Sequence, residues 1–137
     1  MKLCIAGSRP PKNPFEEARW QAKVWHAMQK HMPFLEPHVT EVVSGKARGA
    51  DQLGEQWAFS KGVPIKDFKP DWVNHPHDAP FLRNIDMANY ADAAVIFWDG
   101  KSTGSTHMRE QMEKRGKPCF VVLVEKEEHT HGLQAHA

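Results

Sequence analysis

Six consecutive residues, Ala93-Ala94-Val95-Ile96-Phe97-Trp98, carry no polar side chain. Successive side chains of a strand point to opposite faces of its sheet, so a wholly apolar run of this length predicts a strand covered on both sides. The rest of the sequence supplies the cover. Apolar and β-branched runs alternate with helical periodicities along the chain, which argues for βα units and a mainly parallel sheet.

Lys2–Ala6 is the first predicted strand, broken by Gly7-Ser8-Arg9-Pro10-Pro11. Phe15, Ala18, Ala22, Trp25, Met28 and Met32 then recur at helical spacing, and Pro33 and Pro37 end that helix. Thr40–Ser44 is the second strand. The amphipathic run Gln52–Lys61 follows, with Ala50, Leu53 and Trp57 inward and Gly62 closing its end. Val63–Phe68 forms a weaker third strand, and Lys69–Pro80 a loop with Pro70, Pro76 and Pro80. A helix over Phe81–Tyr90 turns Leu82, Ile85 and Ala88 inward. After the apolar strand, Gly100–Gly104 is a second glycine-bearing loop, and a polar helix runs from Ser105 to Arg115. Gly116 and Pro118 punctuate its end before the last strand, Cys119–Val124. One domain over 1–124 is expected, with Glu125–Ala137 as a polar, frayed tail.

Five strands joined by right-handed crossovers give an α/β, Rossmann-like, doubly wound sheet with helices on both faces. A strand order of 3-2-1-4-5 places the first and fourth strands side by side at the switch point, where such sheets bind ligands beyond the carboxyl ends of their strands. The loops there are Gly7–Arg9 and Asp99–Thr106, with Ser44–Asp51 adjacent. All three are rich in glycine, small hydroxyl residues and arginine or lysine.

The middle loop, Ser44-Gly45-Lys46-Ala47-Arg48-Gly49-Ala50-Asp51, leads from a strand into a helix, a junction whose free N–H groups and dipole favour an anion. Gly45 and Gly49 let a ligand approach the main chain, and Arg48 is a planar phosphate donor. Ser105 and Thr106 open the fourth helix, where hydroxyls and N–H groups can hold phosphate together. Ser102, Thr103 and Ser105 can equally serve as ordinary N-caps. Asp51 can charge the helix start or bond a ribose or Arg48. Asp99, with Asp71 second, is the carboxylate placed to contact a ribose or act as a general acid or base. Trp72 and Trp98 can stack on a base or simply pack. No G-x-G-x-x-G occurs, and the Walker-like Gly100-Lys101-Ser102 lacks its first glycine, that position being Val95.

A formal net charge of +1 provides no surplus for nucleic acid, which argues against that partner. Two cysteines, Cys4 and Cys119, are expected as free buried thiols. His75-Pro76-His77 and the tail histidines His129, His131 and His136 do not make a metal-ligand pattern, so no metal and no resident cofactor are expected. No apolar run approaches the ~20 residues of a membrane span, and Met1–Gly7 is too short for a secretory signal, so a soluble cytoplasmic protein without a membrane partner is the default.

The loops together carry a resemblance. Ser44–Asp51, Arg83-Asn84-Ile85-Asp86-Met87 and Asp99-Gly100-Lys101-Ser102-Thr103-Gly104-Ser105-Thr106 resemble the three motifs of the YspA-like branch of the SLOG superfamily. Gly7-Ser8-Arg9 and Pro70-Asp71-Trp72 match weaker positions of that branch. The superfamily also groups the LOG nucleotide phosphoribohydrolases and the DNA-processing protein A family. The resemblance implies a Rossmann-like fold that binds a nucleotide or nucleotide-derived small molecule, with Arg83 on the ligand side and Asn84 as ligand contact or local cap. It also implies phage relatives and leaves room for a homodimer. The LOG catalytic glutamate stands three residues after a threonine. Here that offset from Thr106 falls on Arg109, and Glu110 is turned about 100° around the helix, which disfavours the LOG reaction.

Overall fold

The computed structural model describes residues 1–126. Its strands are β1 (Lys2–Gly7), β2 (Glu41–Ser44), β3 (Ile65–Asp67), β4 (Ala93–Trp98) and β5 (Cys119–Leu123). Its helices are α1 (Pro14–His31), α2 (Ala50–Ser60), α3 (Ala79–Tyr90) and α4 (Thr103–Lys114). Every strand pairing is parallel, and the order is β3-β2-β1-β4-β5. The expected α/β Rossmann-like sheet is therefore present, strand order included.

The sheet is buried on both faces. Leu3, Ile5, Val95 and Phe97 pack on one side with residues of α1 and α2, among them Trp20, Met28 and Trp57. Cys4, Ala6, Ala94 and Ile96 pack on the other with Met87 and Ala88 of α3 and Met108 and Met112 of α4. Alternation along β1 and β4 thus feeds two separate cores, which is what the unbroken apolar run of β4 requires.

Asn13 caps α1, its side chain accepting the N–H groups of Phe15 and Glu16, and Pro14 takes the first turn, where no N–H is needed. Two short 3₁₀ turns at Met32–Phe34 and Glu36–His38 carry the chain past Pro33 and Pro37 to β2. The inward face of α1 differs from the expected one. Trp20, Val24 and Met28 are buried, whereas Phe15, Ala18 and Ala22 are exposed and Trp25 only flanks the core. Two overlapping apolar stripes share Met28, each carries a tryptophan, and spacing alone cannot choose between them. In α3 the buried positions include Asn84, Met87 and Ala88, with Leu82 and Ile85 half-buried. A polar residue enters the buried stripe because it finds hydrogen-bond partners there.

Helices α2, α3 and α4 each begin two residues before the expected start, and β3 is shorter than Val63–Phe68. Cys4 is buried, but Cys119, on the edge strand, is only half-buried. The expected tail begins inside the described residues: the Glu125 carbonyl accepts from Lys23 Nζ, and Lys126 reaches back to the sheet edge. His129, His131 and His136 lie outside the described residues. Among the described residues no helix is long and apolar enough to cross a membrane.

Candidate functional site at the carboxyl edge of the sheet

β1 and β4 end side by side, Gly7 opposite Phe97. Their approach is close: a Cβ on Gly7 would stand 2.4 Å from the Phe97 carbonyl oxygen and 2.5 Å from Ala50 Cβ. Buried Ser8 staples the ends together. Its N–H donates to the Phe97 carbonyl, and its Oγ accepts the Asp99 N–H at 3.0 Å. Above this staple opens a cleft of about 600 Å³.

One wall is the start of α4. Asp99 Oδ1 accepts the N–H groups of Lys101 and Ser102, both at 2.8 Å, which shapes the loop entering the helix. Ser102 is the N-cap and accepts the Ser105 N–H at 3.4 Å. Thr106 turns away, its Oγ1 donating to the Ser102 carbonyl at 3.0 Å, and it does not line the cleft. Trp98 also serves this loop, its Nε1 donating to the same carbonyl at 3.2 Å. Gly104 and Ser105 do line the cleft. Ser105 is 6% exposed, and its Oγ has no hydrogen-bond partner among the described residues. Arg9 lines the same cleft with no hydrogen bond or ion pair to the described residues.

The second wall comes from the β2–α2 loop and α3. Of the predicted stretch 44–51, only Ala47 and Asp51 face the cleft. Ser44 Oγ donates to Glu55 at 2.7 Å, and Lys46 Nζ stands 2.7 Å from the same carboxylate. Lys46, whose φ is 61°, also reaches toward β3, its Nζ 3.8 Å from Asp67. Arg48 is drawn the other way, to Glu17 of α1 at 2.7 Å. Gly49 adopts a φ of 90°, a value glycine takes without strain, at the cap of α2. Gly45 is overlain by Arg83, whose Nη1 donates to its carbonyl. Asn84, 5% exposed, donates to the Gly104 carbonyl at 3.3 Å and accepts from Arg83 Nε at 3.1 Å. Arg83 and Asn84 thus lace the β2–α2 loop to the start of α4 across the cleft.

The two cleft carboxylates sit in opposite electrostatic settings. Burial pushes Asp51 up to about 6, against the pull of Arg83 and the N–H groups of Ala47 and Gly45. Burial also acts to raise Asp99, but the hydrogen bond from Lys126 and those from the Lys101 and Ser102 amides prevail and hold it at about 2. The other nominated residues lie elsewhere. Asp71 accepts the N–H and side-chain amide of Asn74, which lowers its pKa, and neither it nor half-exposed Trp72 lines the cleft. Sequence reasoning missed Lys101, Phe81 and Lys126, all of which line it. Phe81, an aromatic directly after Pro80 at a helix start, was findable; Lys126 was not, because nothing local to residue 126 points back to Asp99.

The sequence profile of the YspA, cpYpsA-related SLOG family (YAcAr) matches residues 2–75. The chain is also similar to the gene 61 protein of Mycobacterium phage D29, 32% identical over 125 residues that cover 87% of this chain and 94% of the phage protein. This chain belongs to the YspA, cpYpsA-related SLOG family. The SLOG span 2–75 carries Gly7, Arg9, Ala47 and Asp51; the α3 and α4 side of the cleft lies beyond it. In fold the SLOG chain is similar to DNA processing protein A of Streptococcus pneumoniae, with a TM-score of 0.62 at 16% identity. The superposition covers 99% of this chain and 56% of that one, so the chain spans little more than half of that protein.

Proposed function

We propose that the cleft binds a nucleotide or a nucleotide-derived, phosphorylated small molecule, and that the chain works as a sensor, carrier or sequestering module for it. The observation that carries this reading is Ser105. A buried hydroxyl without a partner costs free energy unless something supplies one, and this hydroxyl sits in the first turn of α4. The first-turn N–H groups of Thr103 and Gly104 have no intrahelical acceptor, and the helix dipole favours an anion beside them. Arg9 adds a guanidinium that no carboxylate pairs with among the described residues. Ser105, the helix start and Arg9 together suit one phosphate group.

Binding without turnover fits the carboxylates. Asp99 is ionised across the neutral range with both oxygens engaged, so it is a weak base and has no proton to give. The position of the LOG glutamate is Arg109, which lies 3.6 Å from Glu113 along its own helix. One observation favours a second reading, hydrolysis of a nucleoside 5′-monophosphate. Asp51 lines the cleft and exchanges its proton near neutrality. Single-stranded DNA is a third candidate, against which stands the formal net charge of +1.

Thermal-shift screening of the purified chain against nucleotides, inorganic phosphate and an oligonucleotide tests all three, followed by chromatography of each hit. Binding of a nucleotide recovered unchanged is the expected result, with Arg9→Ala and Ser105→Val each weakening it at least about tenfold, the loss of one charge-assisted contact. Recovered free base would establish hydrolysis, and no response to any phosphate compound would remove the reading.

A further inference from the structure

We infer that Phe81 is the platform on which the ligand's base stacks, a step that rests on the phosphate reading of the same cleft. Phe81 is the one aromatic residue among the described residues that line the cleft. The residue is 40% exposed, so the fold leaves part of its apolar surface unburied. The ring is nonetheless held in place. Pro80 fixes the first turn of α3, and the Phe81 N–H donates to the Asp78 carbonyl at 3.0 Å. His107 of α4 meets the ring at right angles, centroid to centroid 4.9 Å. A rigid, partly exposed ring in a binding cleft loses little conformational freedom when a flat ligand covers it.

The apolar surroundings extend the platform. Met108 also lines the cleft, and it stands three residues after Ser105. Positions three apart share one helix face, about 5 Å apart along the axis. That rise, from the first-turn hydroxyl along the same face of α4, is comparable to the span of a sugar joining a phosphate to a base. Pro80, Phe81 and Met108 therefore add apolar surface to a cleft that Ala6 and Ala47 also line, beside its polar and charged groups. The tryptophans nominated from sequence do not compete for this role, since neither lines the cleft.

The test compares four kinds of probe on the full chain by calorimetry: inorganic phosphate, ribose 5-phosphate, hexyl phosphate and the common nucleoside 5′-monophosphates. Stacking tolerates any base and is worth about 5- to 150-fold in affinity. The expected result is that at least one nucleotide binds that much more tightly than ribose 5-phosphate. Phe81→Ala and Phe81→Leu then abolish the difference without changing ribose 5-phosphate binding, and Phe81→Trp keeps it. A nucleotide advantage that survives Phe81→Ala, or hexyl phosphate binding as tightly as a nucleotide, overturns the platform. So does ribose 5-phosphate binding as tightly as every nucleotide, an outcome that leaves the phosphate reading standing. Failure of every probe overturns both.

Discussion

Asp51 and Asp99 share one cleft yet respond to protons in opposite directions, because only one has its charge well satisfied. Asp99 is held at about 2, below its ordinary 3.8, so its ionised form stabilises the fold. That contribution is complete above about pH 4 and is lost as pH falls toward 2. Asp51 is lifted to about 6 from 3.8, so its ionised form opposes folding. The penalty is absent below about pH 4, grows as pH rises through 6 and is complete beyond it. Urea denaturation across pH 3–7 should therefore show Asp51→Asn gaining stability relative to the parent between pH 4 and 6.5. Asp99→Asn should fall below the parent at pH 6, and the gap should shrink by about half on going to pH 3. Curves that stay parallel for either variant would refute the assignment. At this scale the sequence marks both carboxylates as ligand-side candidates, but not their difference. Lys126 lies 27 positions from Asp99 in the chain, and Arg83 lies 32 from Asp51. The same limit explains Arg48. Its local setting suggests a phosphate contact, and Glu17, a whole helix and strand away, takes the charge instead.

Helices α3 and α4 are joined at their starts by one side chain. Asn84 donates to the Gly104 carbonyl and approaches His107 Nδ1 at 3.2 Å while accepting from Arg83. Replacing it with alanine leaves these groups unpaired, which costs about 1–3 kcal/mol. Amide hydrogen exchange should quicken at Gly104, Ser105 and Thr106 in Asn84→Ala while the middle of α1 keeps its protection, apart from any uniform change. Asn13→Ala, which removes the cap of α1, should cost a comparable ~1 kcal/mol without selectively loosening the α4 start. Equal exchange behaviour in the two variants would disprove the lacing role. Much of the element level was legible. Pro33, Pro37, Gly116 and Pro118 bound their helices as breakers should, and β4 matches its apolar run residue for residue. Helix starts were less legible, because small and polar residues such as Ala50, Ala79 and Thr103 fit a loop and a first turn equally well. The inward stripe of α1 was misjudged since periodicity fixes a helix but not its rotation against a sheet.

Across the whole molecule, the sheet order sets Cys4, Ala94 and Cys119 in one row, with Ala94 between the two thiols. Two strand spacings put their Cα atoms ~10 Å apart, beyond the ~7 Å that a disulfide can bridge. Burial raises both thiols, Cys119 to about 11 and Cys4 further. A thiol reagent at pH 8 should modify Cys119 slowly and Cys4 only after denaturation; equal rates in native buffer would contradict the packing. The sequence by itself determined the parallel α/β architecture, since apolar period, breakers and crossover handedness are local or universal constraints that admit few topologies. It also placed three glycine-bearing loops at the carboxyl edge of the sheet, because each follows a parallel strand. Only the tertiary structure decided which side chains face that edge, because pairing charges and burying hydroxyls are long-range events. Folding turned Arg48 and Lys46 toward carboxylates, left the Ser105 hydroxyl without a partner among the described residues, and brought Phe81 and Lys126 into the cleft.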